Sequence, residues 1–324
     1  MSKAQAASAV EKYQKYSGSS GGEGEEERKS NYYDKSNTYY DVVTGAYEAY
    51  WGESLHFASR WKGETLRESI KRHEHFIAMQ LGLKPGQKVL DVGCGIGGPA
   101  IEISRFSKTS VTGLNNNEYQ INRAKELSRL HGADQICDFV QGDFMNIPFP
   151  DNTFDAVYAI EATVHSPDAY ECYKEIYRVL KPGQCFAAYE SSMTTSFDPT
   201  NPEHQRIKKE LLLGGGLVDI RSTTKVLEAL KQAGFEVMWS KNIAEDSPIP
   251  WYFPIDKSNN SLSTNAVRLF KRNMLKALEF VGLAPKGITK VQAFAEWAAD
   301  GLVEGGKKEI FTPMFFFVAK KPAD

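Results

Sequence analysis

Apolar residues along this chain recur in two alternating rhythms. Short continuous runs occupy 89–92, 109–114, 136–141, 154–160 and 185–190, set off by Gly, Pro, Asn and Asp. Runs of that length and composition predict strands buried on both faces. Between them, apolar positions return every three or four residues over 98–106, 117–131 and 168–180. In the last of these, Tyr170, Tyr173, Ile176, Tyr177 and Leu180 share a helical spacing, and Pro182-Gly183 turns into the next strand. Strand–helix alternation of this kind predicts an α/β fold, a doubly wound Rossmann-like parallel sheet covered by helices on both faces. Helix 221–233 ends at Gly234, strand 235–240 follows, and strand 314–319 closes the chain. The late strand pair predicts an antiparallel hairpin at one end of the sheet.

The flanking segments read differently. Residues 1–30 hold a Gly/Ser run and an acidic run without periodicity, and are expected to form a disordered tail. Over 31–82, nine aromatic residues from Tyr32 to Trp61 crowd into about thirty positions, followed by an amphipathic helix at 64–81. This segment is expected to be an aromatic helical lid. Residues 83–240 form the expected core, and 241–324 a C-terminal region that includes the last strand. Within it, 263–281 reads as a long helix with Val267, Phe270, Met274, Leu278 and Val281 on one face, suited to packing on the core or lying on a membrane.

Composition narrows the chemistry. The 324 residues carry a formal net charge of -2, which leaves no basic footprint for nucleic acid. The four cysteines have no paired spacing, and the six histidines make no metal-ligand pattern. No apolar run spans a bilayer, so any membrane contact is expected to be peripheral.

The densest chemical signal is Val89-Leu90-Asp91-Val92-Gly93-Cys94-Gly95-Ile96-Gly97-Gly98-Pro99. A strand, a glycine loop and a helix start let a backbone approach a nucleotide-like cofactor and offer it unpaired N–H groups. The spacing formally matches a dinucleotide fingerprint. Two features favour S-adenosylmethionine (SAM) over a nicotinamide. Asp91, at the strand tip, suits an α-amino group, and Asn115 stands where a dinucleotide site favours an acid for the ribose. Further candidates sit at the same edge: Gln120 after the second strand, Asp143 and Phe144 for the adenine, Ile160 and Glu161 with His165 one turn on, and Tyr189-Glu190. No nucleophile elbow is present, and methyl transfer requires none.

Several stretches resemble sterol C-methyltransferases, most closely the plant and algal cycloartenol type. They are Tyr39 to Thr44 through Trp51-Gly52-Glu53-Ser54-Leu55-His56-Phe57, Leu90 to Pro99, Gly113 to Gln120, Tyr158 to Thr163, Arg221-Ser222-Thr223, Trp251-Tyr252 and Gly305 to Met314. The resemblance covers about residues 31–322. It implies the SAM-dependent methyltransferase fold and methyl transfer from SAM to carbon 24 of a sterol, with cycloartenol the expected acceptor, and no metal. It also implies a cation at carbon 25, a hydride shift and loss of a proton. Residues expected at the cofactor are Asp91, Gly93, Cys94, Gly95, Asn115, Gln120, Asp143, Phe144 and Ile160. Glu161, His165 and Glu190 are the candidate catalytic set, with the base left open among them; holding the sterol hydroxyl or the methionine group is the alternative role for Glu161. Tyr39, Tyr50, Trp51, His56, Tyr158 and Tyr189 are the candidate lining. Ser191-Ser192 departs from the family's Tyr-Glu-Trp at this point, which bears on substrate preference. A sterol substrate further implies a peripheral place at the endoplasmic reticulum or lipid droplets, with a homo-oligomer as a possible assembly. Other acceptors, such as a tocopherol-like phenol or phosphoethanolamine, and a non-catalytic sterol- or SAM-binding role are the alternatives.

Overall fold

The computed structural model describes residues 25–256, 258, 273–284 and 287–323. The chain enters through α1 (Glu25–Ser30) and the long α2 (Tyr32–Trp51), which stops at Gly52 in a positive-φ conformation. Helix formation therefore begins inside the stretch expected to be a tail, where Arg28 Nε donates to Val218 O. The expectation for residues 1–24 lies outside the described residues. Helix α3 (Leu66–Gln80) opens on a capping box, Thr65 with Glu68.

The core then alternates: β1 (Lys88–Val92), α4 (Gly98–Ser107), β2 (Ser110–Asn115), α5 (Glu118–Leu130), β3 (Cys137–Gln141), β4 (Phe154–Ile160), α6 (Ala169–Val179), β5 (Leu180–Met193), α7 (Pro202–Gly214), α8 (Thr223–Gln232), β6 (Glu236–Asn242), α9 (Ile288–Lys307) and β7 (Phe311–Lys320). One seven-stranded sheet has the order β3-β2-β1-β4-β5-β7-β6. Strands β1 to β5 are parallel, and β7 runs antiparallel to both neighbours. The late strand pair is antiparallel as expected, with β7 inserted between β5 and β6.

Both faces of the sheet are buried, which is why its strands read as unbroken apolar runs. Val89 packs with Ile77, Ala100, Ile103, Ile121 and Ala124 of α3, α4 and α5 on one face. Leu90 packs with Cys172, Tyr173, Ile176, Val226 and Leu230 of α6 and α8 on the other. Pro182-Gly183 proves to lie inside β5, where a register shift beside Phe154 absorbs it. Helices α7 and α9 stand beyond the elements expected from the apolar pattern. Of the expected helix at 263–281, residues 263–272 lie outside the described residues, and 273–280 are helical.

Candidate active site

Every strand pointing its C-terminal end at one edge delivers a loop there, and α2 lies across that edge. The Asn115-Asn116-Asn117 stretch fastens it. Asn117 caps α5 by accepting from Gln120 N–H, and its amide donates to Asp41 of α2 at 2.8 Å. Asn115 Nδ2 donates to Gln120 Oε1 at 2.7 Å, and Gln120 Nε2 donates to Thr44 Oγ1. At the start of α2 the Tyr32 hydroxyl donates to Asp143 Oδ2, and farther along Arg123 pairs with Glu48.

In the glycine loop, Gly98 is small because a Cβ would sit 2.3 Å from Glu53 O. Gly95 differs: its φ is +53°, and a Cβ there would find only Leu55 Cδ1, at 4.0 Å. The loop thus leaves one cradle that a side chain would fill. At the same edge of the sheet, the Asp91 and Asp143 carboxylates, the Asn115 amide and the Phe144 ring stand at or just after the ends of β1, β2 and β3. Asp91 is buried, accepts from Tyr158 Oη at 2.9 Å, and burial pushes its carboxyl up to about 7. An ammonium beside it would restore its charge. The donor set fits the amino acid, ribose and adenine parts of SAM.

Leu55 also lines a cavity of about 470 Å³, within the usual range for small-molecule sites. Its walls are largely aromatic and aliphatic, with Tyr39, Tyr40, Tyr47, Tyr50, Trp51 and Phe57 among them. Three ionisable side chains, His56, Glu161 and His165, face it at the β4 edge. Glu161 holds a positive φ of 53° and accepts the Phe57 N–H at 2.7 Å. Burial pushes its carboxyl up to about 7, against the lowering pull of His56 and that N–H. Burial lowers His165 to about 4; its Nε2 lies 2.9 Å from Tyr40 Oη, and Nδ1 has no partner. For His56, burial acts to lower its value, yet Glu74 and Glu161 outweigh it and the net direction is up.

Residues 90–188 match a methyltransferase domain model, and 261–323 match the sterol methyltransferase C-terminal model. The chain is 65% identical to cycloartenol-C-24-methyltransferase of Arabidopsis thaliana, over 99% of this chain and 97% of that protein. The chain belongs to the sterol 24-C-methyltransferase family. Identity to the Saccharomyces cerevisiae sterol 24-C-methyltransferase is 46%, over 99% of this chain and 88% of that one. Among solved structures, a putative sarcosine dimethylglycine methyltransferase from Galdieria sulphuraria superposes with a TM-score of 0.67 at 23% identity, covering 90% of this chain and 99% of that one, a likeness of fold.

Set against this family's expected site, the structure brings Tyr39, Tyr50, Trp51, His56, Glu161 and His165 to one cavity. Three others stand away from it. Tyr158 is spent on Asp91, and Tyr189 stacks on His73 with ring centroids 3.5 Å apart. Glu190 points to the opposite sheet face, where Thr163 and Tyr173 donate to it. The period of two along β5 explains this: Glu190 shares its face with Phe186 and Ala188, both in the α6–α8 core. The same alternation puts Ser191 on the other face, in the cavity wall, while the register shift beside it places its extra residue on β7. Gln120 and Cys94 are buried at the same edge, and Gly93 is half-buried with Ala162 where a Cβ would stand. Sequence reasoning missed Tyr40, Tyr47, Leu211, Leu217, Gln292 and Glu296 as lining. The tyrosines lay in the aromatic cluster; α7 and α9 gave no signal beyond helical spacing.

Proposed function

We propose that this chain transfers the methyl group of SAM to carbon 24 of a sterol side chain, with cycloartenol as acceptor and 24-methylenecycloartanol as product. The observation that carries the reading is the single cavity that joins an apolar, aromatic wall to Glu161, one residue before the Ala162 packed on Gly93. Such a cavity suits a flat lipid whose reacting end must meet the cofactor edge and little water.

SAM supplies an electrophilic methyl carbon on its sulfonium; Asp91, Gly95, Asn115, Asp143 and Phe144 are the residues that would hold it. The chain's own work is then positioning and charge. The alkene of the sterol is presented by aromatic walls that exclude water. Positive charge developing at carbon 25, and at carbon 24 after the hydride shift, is stabilised by the faces of Tyr39, Tyr40 and Trp51. Glu161, ionised, takes a proton from the newly added carbon, leaving the exocyclic double bond. His165 is neutral at physiological pH and orients against Tyr40. Membrane contact is part of the same reading: Tyr50 and Pro254 line the cavity, Tyr50 Oη donates to Pro254 O, and exposed Phe253 precedes Pro254 in sequence. Incubating the purified protein with cycloartenol and SAM tests the proposal. The expected result is a 24-methylene sterol; cofactor binding without transfer would leave a binding protein.

A further inference from the structure

One face of α9 contributes Gln292, Ala295, Glu296, Ala299 and Leu302 to the cavity, at the i, i+3, i+4, i+7 and i+10 positions of a helix. Three of these are apolar, and two are not. Gln292 Nε2 donates to Glu296 Oε1 at 3.1 Å, one turn on. That bond fixes which end of the amide is nitrogen, since only the nitrogen can serve a carboxylate. It leaves Gln292 Oε1 buried with no hydrogen-bond partner. A buried acceptor without a donor is costly and is expected to have one when the site is filled.

This pair belongs to a different wall from the reacting groups. Glu161 follows the end of β4. Helix α9 packs against α7, where Gly214 leaves room for Ala298, and against β7, which β5 separates from β4 in the sheet. The cavity therefore takes polar groups from two separate elements, the end of β4 and α9, among aromatic and aliphatic lining. A sterol has the matching pattern, a reacting side chain at one end and a single hydroxyl at the other.

Resting on the proposed function, we infer that Gln292 is the receptor of the acceptor's hydroxyl group: the hydroxyl donates to Gln292 Oε1, while Glu296 holds the amide in place. Gln292 binds the head of the lipid and fixes its depth, so that carbon 24 arrives at the cofactor edge. Glu296 is a positioning residue that acts through it.

The test compares cycloartenol with its 3-methyl ether, which cannot donate. Equilibrium binding and initial rates are measured on the full chain and on Gln292→Leu. The native chain is expected to bind the free alcohol about tenfold more tightly than the ether. Gln292→Leu is expected to lose that preference through a raised KM for the alcohol. Equal affinity of the native chain for both sterols would overturn the inference, as would an unchanged preference in Gln292→Leu. If that variant does not fold, the two sterols on the native chain still decide. Methylation of both sterols with equal KM would sink the hydroxyl site and leave the proposed reaction standing. Preferential binding of the alcohol without any methylation would do the reverse.

Discussion

The Glu161 carboxylate accepts the backbone N–H of Phe57 at 2.7 Å, joining the end of β4 to the loop that follows α2. It does so from a positive-φ backbone that costs a non-glycine residue on the order of 1–3 kcal/mol. The bond aims the carboxylate into the cavity and ties the aromatic lid to the core at the point where the proposed reaction occurs.

Replacing Glu161 by Gln keeps an oxygen for that N–H and removes the proton acceptor. The expected outcome is a kcat lowered by about 10²- to 10⁴-fold, with melting temperature and SAM affinity near those of the native chain. Steady-state kinetics with thermal melting on the same preparation checks both halves.

The pH dependence follows from the same group. Burial pushes Glu161 up to about 7, and a base must be ionised. Turnover should therefore rise with pH through about 7 and level off above it, falling tenfold per pH unit on the acid side. His165, lowered to about 4, stays neutral and adds no limb between pH 5 and 9. A kcat profile that rises through about 7 is expected; activity that falls as pH rises through 7 would assign Glu161 the role of an acid.

Glu190 is buried on the far face with Oε1 unpartnered, and burial pushes it from 4.5 up to about 7. Between those values the folded chain keeps a proton that the unfolded chain releases, so stability falls as pH rises across the window. Glu190→Gln removes this loss and still accepts from Thr163 and Tyr173. The variant is expected to be more stable than the native chain at pH 8, by up to about 3 kcal/mol, and little changed at pH 4.5. Turnover should persist. Denaturant melts at the two pH values and a product assay measure this.

Much of this site was legible before any coordinates. The β1 loop, the Asn triplet after β2, Asp143 after β3 and Glu161 after β4 each stand at the end of a short apolar run, and parallel strands carry such ends to one edge. What could not be read was direction. Whether Tyr189 or Glu190 faces the cavity depends on the phase of β5, and an apolar run buried on both faces does not declare it; the register shift that follows changes the phase of β7 instead. The α9 wall was hidden for another reason. Gln292 and Glu296 look like any solvated pair on an amphipathic helix until the packing of α7 shows which face is covered.

The cradle at Gly95 can be separated from simple backbone strain. Gly95→Ala and Gly86→Ala both place a side chain at positive φ, with no atom within 4 Å of the new carbon at Gly86. Both should cost roughly 1 kcal/mol of stability. Only Gly95→Ala is expected to weaken SAM binding, which titration calorimetry reads directly; equal SAM affinity in the two variants would place the cofactor elsewhere.

The account's central claim is that Glu161 takes a proton from the carbon the cavity has just received at position 24. Cycloartenol methylated with SAM bearing a fully deuterated methyl group tests it most directly, by mass spectrometry of the product. The expected sterol carries two deuterium atoms on an exocyclic methylene, one having gone to the base. A product that keeps all three would contradict the claim, and so would the absence of any methylated sterol.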